Sequence, residues 1–148
     1  MVSVKAMLPA ARNRLVTVRE SAPLTEAAKY LDGRHINLVV VCDKDDAMVG
    51  IVTRTDIIRQ MSICNGCGCN AAVTAVMTKE VISCHPDDLL HDVWLIMKEK
   101  GLLHVPIVDK DSKPLGVINE RDALRVLFEE REHEESLLRD YVMGTGYR

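Results

Sequence analysis

Three groups of residues in this chain have types and spacings that support chemistry. Cys64, Cys67 and Cys69 stand together in the stretch CNGCGCN. Thiolates spaced C-x₂-C-x-C suit zinc or an iron–sulfur cluster, although either centre takes four ligands and this stretch offers three. Three close thiols also support a labile disulfide that responds to oxidation, and the plainest alternative is a Gly-rich connector. The second group is Thr53 and Asp56 in GIVTRTD, with Asn119 and Asp122 in GVINERD. A hydroxyl or amide three residues ahead of a carboxylate is a helix-capping pattern. The same turn exposes the free N–H groups and partial positive charge of a helix start, which favour phosphate. The third group is cationic: Arg54 and Arg121 lie inside these two turns, and His104 precedes a strand.

The elements that must position these residues come in duplicate. LVVVCDKDDAMVGIVTRTDIIRQ, from Leu38, aligns without a gap on HVPIVDKDSKPLGVINERDALRV, from His104, at an offset of 66 residues. Val39, Asp43, Lys44, Asp45, Gly50, Asp56 and Arg59 recur as Val105, Asp109, Lys110, Asp111, Gly116, Asp122 and Arg125. Upstream, Leu24, Ala27, Ala28 and Leu31 fall at i, i+3, i+4 and i+7, the apolar face of a helix, and Leu90, Val93, Trp94 and Met97 repeat that face. The β-prone runs VTV (Val16–Val18) and ISC (Ile82–Cys84) precede these helices, with Ser21 and Asp87 as their expected N-caps. Each unit therefore reads β-α-β-β-α, an α/β (α+β) fold. A unit of roughly 60 residues has little core of its own, so the two are expected to pack together pseudo-symmetrically.

Composition narrows the function classes. The net charge is −3 with no basic stripe, and the chain holds one Trp, one Phe and three Tyr, so neither a phosphate-backbone partner nor a base-stacking platform is expected. No apolar run nears the ~18 residues that span a bilayer, and MVSVKAMLPAARNR lacks the apolar centre of a signal peptide. A cytoplasmic protein with no membrane partner is expected. Five cysteines, an odd number, do not suggest a secreted disulfide framework; Cys42 and Cys84 fall on strands, where buried thiols are common. There is no Walker loop, GxGxxG or nucleophile elbow, so no enzyme is expected. EEREHEE (Glu129–Glu135) reads as a solvated helical face. Beyond it, Leu137, Leu138, Tyr141 and Val142 form an apolar stripe that can pack on a second copy.

Two tandem units, each with a turn of the form G-h-h-[ST]-x-x-D, resemble a pair of cystathionine-β-synthase (CBS) domains, a Bateman module. GIVTRTD matches the signature fully and GVINERD departs only at Asn119; LLHVPIVD matches the family's preceding strand, AVMT its lead-in, and KAML a weaker first lead-in. The resemblance covers residues 2–128. It implies units at 2–61 and 73–128, a connector at 62–72 and a helical extension at 129–148. It further implies a regulatory module, commonly homodimeric, that binds adenine nucleotides (AMP, ADP or ATP, with NAD or S-adenosylmethionine as variants) between the units. AMP and ATP lead among these ligands. Asp56 and Asp122 would then accept the ribose hydroxyls beside Thr53 and Asn119, with Asp56 ranked first because its motif is complete. Arg54, Arg121, His104 and Asn37 would approach phosphate, and Ile36 and Leu102 would wall the adenine. Binding would be reported to an unidentified protein target. The alternative is a metal- or redox-responsive module built on Cys64, Cys67 and Cys69, with the paired units as a dimerisation scaffold.

Overall fold

The structure, a computed structural model, describes residues 1–33, 35–63 and 70–144. The first unit carries β1 (Thr17–Arg19), α2 (Leu24–Leu31), β2 (Leu38–Cys42), β3 (Met48–Thr53) and α3 (Arg54–Ile63). Ahead of it lie a 3₁₀ turn (Val4–Met7) and α1 (Leu8–Asn13). The second unit follows α4 (Val73–Val76) with α5 (Leu90–Lys100), β4 (His104–Val108), β5 (Pro114–Asn119) and the long α6 (Glu120–Gly144). β1 pairs parallel with β2, and β2 antiparallel with β3. β4 pairs antiparallel with β5 in the matching register, His104 opposite Asn119 as Leu38 is opposite Thr53.

The two hairpins explain why the Asp-Lys-Asp run recurs. Asp43 Oδ1 accepts the N–H groups of Asp45 (2.8 Å) and Ala47 (3.1 Å). Asp109 Oδ1 accepts those of Asp111 (2.8 Å) and Lys113 (2.9 Å). An Asp accepting from its own backbone two residues on is the local device that sets such turns. The turns close through left-handed residues at equivalent places, Asp46 (φ 64°) and Ser112 (φ 63°).

The second unit departs from the repeat at its first strand. In the first unit the Val40 N–H donates to Val16 O at 2.9 Å. The equivalent of Val40 is Pro106, which has no N–H. The run from Ile82 to Cys84 is accordingly reduced to one parallel bridge, Cys84 to Ile107, held by Cys84 N to Pro106 O at 3.0 Å and Val108 N to Cys84 O at 2.9 Å.

The expected N-caps are also displaced. α2 and α5 begin three residues after Ser21 and Asp87, with Pro23 and Leu89 at the cap positions and no side-chain cap bond. Their first N–H groups go instead to backbone carbonyls of a remote segment: Leu24 N to Ala71 O (2.9 Å) and Leu90 N to Val2 O (3.0 Å). Those segments are the lead-ins, and they cross over. The N-terminal lead-in docks on the second unit, Val4 N donating to Asp88 O (2.8 Å). The connector's end docks on the first, Val73 N donating to Ala22 O (3.1 Å).

The core follows this exchange. Val4, Met7 and Ala11 are buried with Leu90, Val93, Met97, Val105, Ile107 and Ile118. Val73 is buried with Leu24, Ala27, Leu31, Val39, Val41 and Val52. β2 is buried on both faces, and its period of two divides it: Val39 and Val41 face α2, while Leu38, Val40 and Cys42 meet Val117 of β5 to join the units.

Candidate functional site

The turn between β3 and α3 is a closed capping box. Asp56 Oδ2 accepts from Thr53 N (3.0 Å) and Thr53 Oγ1 (3.2 Å), and Asp56 N donates back to Thr53 Oγ1 (3.4 Å). Thr78, at the end of the crossing lead-in, donates its hydroxyl to Asp56 Oδ1 (3.3 Å), and Arg59 reaches the same oxygen at 3.3 Å. Asp56 is buried and its two oxygens are engaged from three sides.

The equivalent turn at β5 and α6 is built differently. Asn119 Oδ1 caps the helix alone, accepting from Arg121 N (2.9 Å) and Asp122 N (3.4 Å). Asp122, also buried, turns its carboxylate toward arginines: Arg14 Nε donates to Oδ2 at 2.9 Å and Arg125 Nη2 lies 3.5 Å from Oδ1. Arg14 is the residue that ends α1, so the crossing lead-in delivers a guanidinium here and a hydroxyl at Asp56. The carboxylate borders a cleft of about 390 Å³ lined by Ala10, Asn13, Arg14, His35, Asp122 and Arg125. His35 belongs to the loop between α2 and β2, so the cleft lies where the two units meet.

Asn119 also determines the state of His104. Its Oδ1 is committed to the helix N–H groups, so Nδ2 is the atom that faces His104 Nε2 at 3.1 Å. Nε2 must then be an acceptor, which assigns the neutral ring with its proton on Nδ1. The electrostatics agree: burial lowers the His104 pKa, the charges of Arg14 and Arg54 lower it further, and Asp122 opposes them.

Arg54 is occupied by its own chain. Its Nε donates to Leu31 O (2.8 Å), its Nη2 to Gly33 O (2.6 Å) and Ile36 O (3.0 Å), and its Nη1 to the Asn37 side-chain oxygen. It therefore ties down the loop that carries His35, Ile36 and Asn37. Arg121 is exposed. Ile36 is half-buried against the first unit's core and Leu102 against the second's. Burial pushes the Cys84 thiol up to about 12 and raises that of Cys42, so both are protonated core thiols. Cys64, Cys67 and Cys69 lie outside the described residues.

Gly50 and Gly116 have a specific reason to be glycine. A Cβ on Gly116 would stand 2.7 Å from Ala11 Cβ and 2.8 Å from its carbonyl carbon, and one on Gly50 would stand 2.9 Å from Thr78 O. The close approach these glycines allow is to the crossing lead-ins.

Arg125 was visible to sequence reasoning only as the repeat of Arg59. Arg14 has no such signal, because the residue 66 positions on is Glu80. His35, Asn13 and Thr78 likewise join the two turns only through the folded chain.

The sequence profile of the CBS domain matches residues 4–63 and 73–129. An uncharacterized 17.7 kDa protein of Acidianus ambivalens is 29% identical over 136 residues, 92% of this chain and 81% of that protein. A homoserine O-acetyltransferase of Methanohalobium evestigatum is 25% identical over 115 residues, 78% of this chain but 22% of the enzyme. Among solved structures, the CBS domain pair of protein MJ0100, in complex with 5′-methylthioadenosine and S-adenosyl-L-methionine, superposes with a TM-score of 0.73. It is 25% identical, with 88% of this chain and 98% of that one covered.

Proposed function

This chain belongs to the CBS domain family, and on that premise we propose that it is a regulatory module whose ligand is an adenosine-containing small molecule. The reading rests on one observation: the Asp122 carboxylate borders the inter-unit cleft beside two guanidiniums. A carboxylate so placed accepts the two hydroxyls of a ribose, and Arg14 and Arg125 supply the positive charge that a phosphate or sulfonium-linked carboxylate needs. The similarity to a CBS pair bound to methylthioadenosine and S-adenosylmethionine supports this ligand class, within which AMP and ATP remain the first to test.

The sites rank in the opposite order from that expected from the motif. Asp56 has its oxygens taken by Thr53, Thr78 and Arg59, so a ligand there must first displace hydroxyl donors. At Asp122 the contacts in the way, among the described residues, are those of Arg14 and Arg125, and an anionic ligand would draw Arg14 onto itself. Because Arg14 ends α1, exchanging the Arg14–Asp122 pair for ligand contacts biases the packing of the N-terminal lead-in. That differential contact is what a ligand needs to shift a population and signal to a protein target. The module is regulatory, not catalytic, and cytoplasmic; in a homologous enzyme it corresponds to about a fifth of the length.

Calorimetric titration with AMP, ATP, NAD and S-adenosylmethionine tests the proposal. One of them should bind, and Asp122→Ala should weaken it by roughly tenfold or more, as loss of charge-assisted hydrogen bonds implies. Asp56→Ala should have the smaller effect. No heat and no change in melting temperature with any of the four would overturn the reading.

A further inference from the structure

The last helix carries a seam that no other part of the described residues covers. α6 runs 25 residues, and from Arg131 to Val142 every residue is exposed. A helical segment of that length is marginal in water by itself. On it, Leu124, Phe128, Arg131, Glu135, Leu138 and Val142 follow a 4-3-4-3-4 spacing. At ~100° per residue they fall within an arc of about 80°, the width of a coiled-coil seam. The apolar members are open: Leu124 is 49% exposed, Phe128 60%, Leu138 64% and Val142 41%. Arg131 and Glu135 at its centre are exposed and lie 3.5 Å apart along the same helix.

The order of these residues selects both the occupant and its direction. A second copy laid parallel would put Arg131 on Arg131 and Glu135 on Glu135, with like charges at the centre. Laid antiparallel about a two-fold axis near His133, it puts Arg131 on the partner's Glu135 twice over. The same register sets Phe128 on the partner's Leu138 and Leu124 on the partner's Val142, apolar against apolar. Beside Leu124 and Phe128, α5 and the N-terminus form a groove of about 430 Å³ whose walls include Met1, Val2, Leu89 and Trp94. The buried indole N–H of Trp94 has no acceptor among the described residues. We infer that α6 pairs antiparallel with α6 of a second copy, burying this seam and bringing the partner's C-terminal turn against the groove.

The pairing is isologous, so each central ion pair occurs twice. Glu132 and Glu134 flank the seam on opposite sides and each meets its own copy near the axis; these are two solvent-screened repulsions outside the seam, against two attractive contacts within it. A polar pair inside an otherwise apolar seam lowers affinity but specifies register and direction.

Charge exchange between full-length chains tests this. Arg131→Glu and Glu135→Arg should each weaken self-association by roughly tenfold or more, while the chain keeps a cooperative circular-dichroism melt because both residues are exposed and away from the core. A one-to-one mixture should recover wild-type association as heterodimer, resolved by native mass spectrometry. In that mixture one chain carries Glu at both positions and the other Arg at both. Intrachain pairing therefore cannot produce the recovery, whereas antiparallel pairing between chains must. A wild-type monomer, single variants that associate as tightly as wild type, or a mixture that fails to recover would each overturn the proposal.

Discussion

His104 shows how one side chain can couple the fold to pH. Its Nε2 faces the amide N–H of Asn119 at 3.1 Å, and burial with the fields of Arg14 and Arg54 lowers its pKa. In the unfolded chain the ring takes its ordinary value near 6.5. Between the lowered native value and about 6.5, the unfolded state binds more protons than the native state, so stability rises with pH across that window. The contribution is complete above about pH 6.5 and is lost as the pH falls below it. Protonation sets a donor against a donor, and Asn119 cannot flip without giving up the N–H groups of Arg121 and Asp122. The melting temperature of the wild type should therefore fall more steeply than that of His104→Gln between about pH 7.5 and 5.5. Equal slopes would remove His104 from this role. The residue was legible in the sequence as a candidate, but its tautomer was not, because that depends on Asn119 across the hairpin.

At the scale of elements, the repeat made most of the fold legible before any coordinate. Identities at one offset, two helical faces and two Asp-headed hairpins all place elements where the chain forms them, because each depends on interactions within a few residues. What local pattern missed was set by remote backbone. Ser21 and Asp87 have the right side chains to cap α2 and α5, yet carbonyls of Ala71 and Val2 take the first N–H groups. Arg14 was not legible at all, since its contact with Asp122 arises from the docking of α1 onto the other unit. The missing third strand of the second unit has the opposite cause, a single residue type. Pro106 leaves the carbonyl of Ile82 without the donor that Val40 provides to Val16. Pro106→Val should supply it. The new amide should show slowed hydrogen exchange, while global stability should change by no more than about 1 kcal/mol. A net gain of that size per hydrogen bond is offset by the greater freedom of the unfolded chain without proline. An amide at position 106 that exchanges freely would show that the first strand is limited by something else.

At the scale of the whole molecule, the sequence halves are not the folding halves. The second unit's core is completed by Val4, Met7 and Ala11 from the N-terminal lead-in, and the first unit's by Val73 from the connector's end. Ala11 lies against the backbone of Gly116 and Thr78 against that of Gly50, so neither lead-in can leave without opening a seam along β5 or β3. Burial of a side chain such as Val or Met contributes roughly 1.5–3 kcal/mol, against a total stability of about 5–15 kcal/mol for a domain. Removing Val4, Met7 and Ala11 together costs the second unit most of what would hold it. Residues 70–148 produced alone should therefore show no cooperative melt by circular dichroism, and residues 1–63 alone should behave likewise. Mixed together they should regain one transition, because the crossed lead-ins then find their cores without a covalent connector. The intact chain should unfold in a single step for the same reason: opening either unit strips the lead-in from the other. Two separate transitions in the intact chain, or a stable isolated half, would contradict the exchange. One-step unfolding also bears on signalling. Asp122 holds Arg14 at the end of α1, and α1 is part of the second unit's core while leading directly into β1 of the first, so the ligand proposed for the inter-unit cleft would act on both units at once.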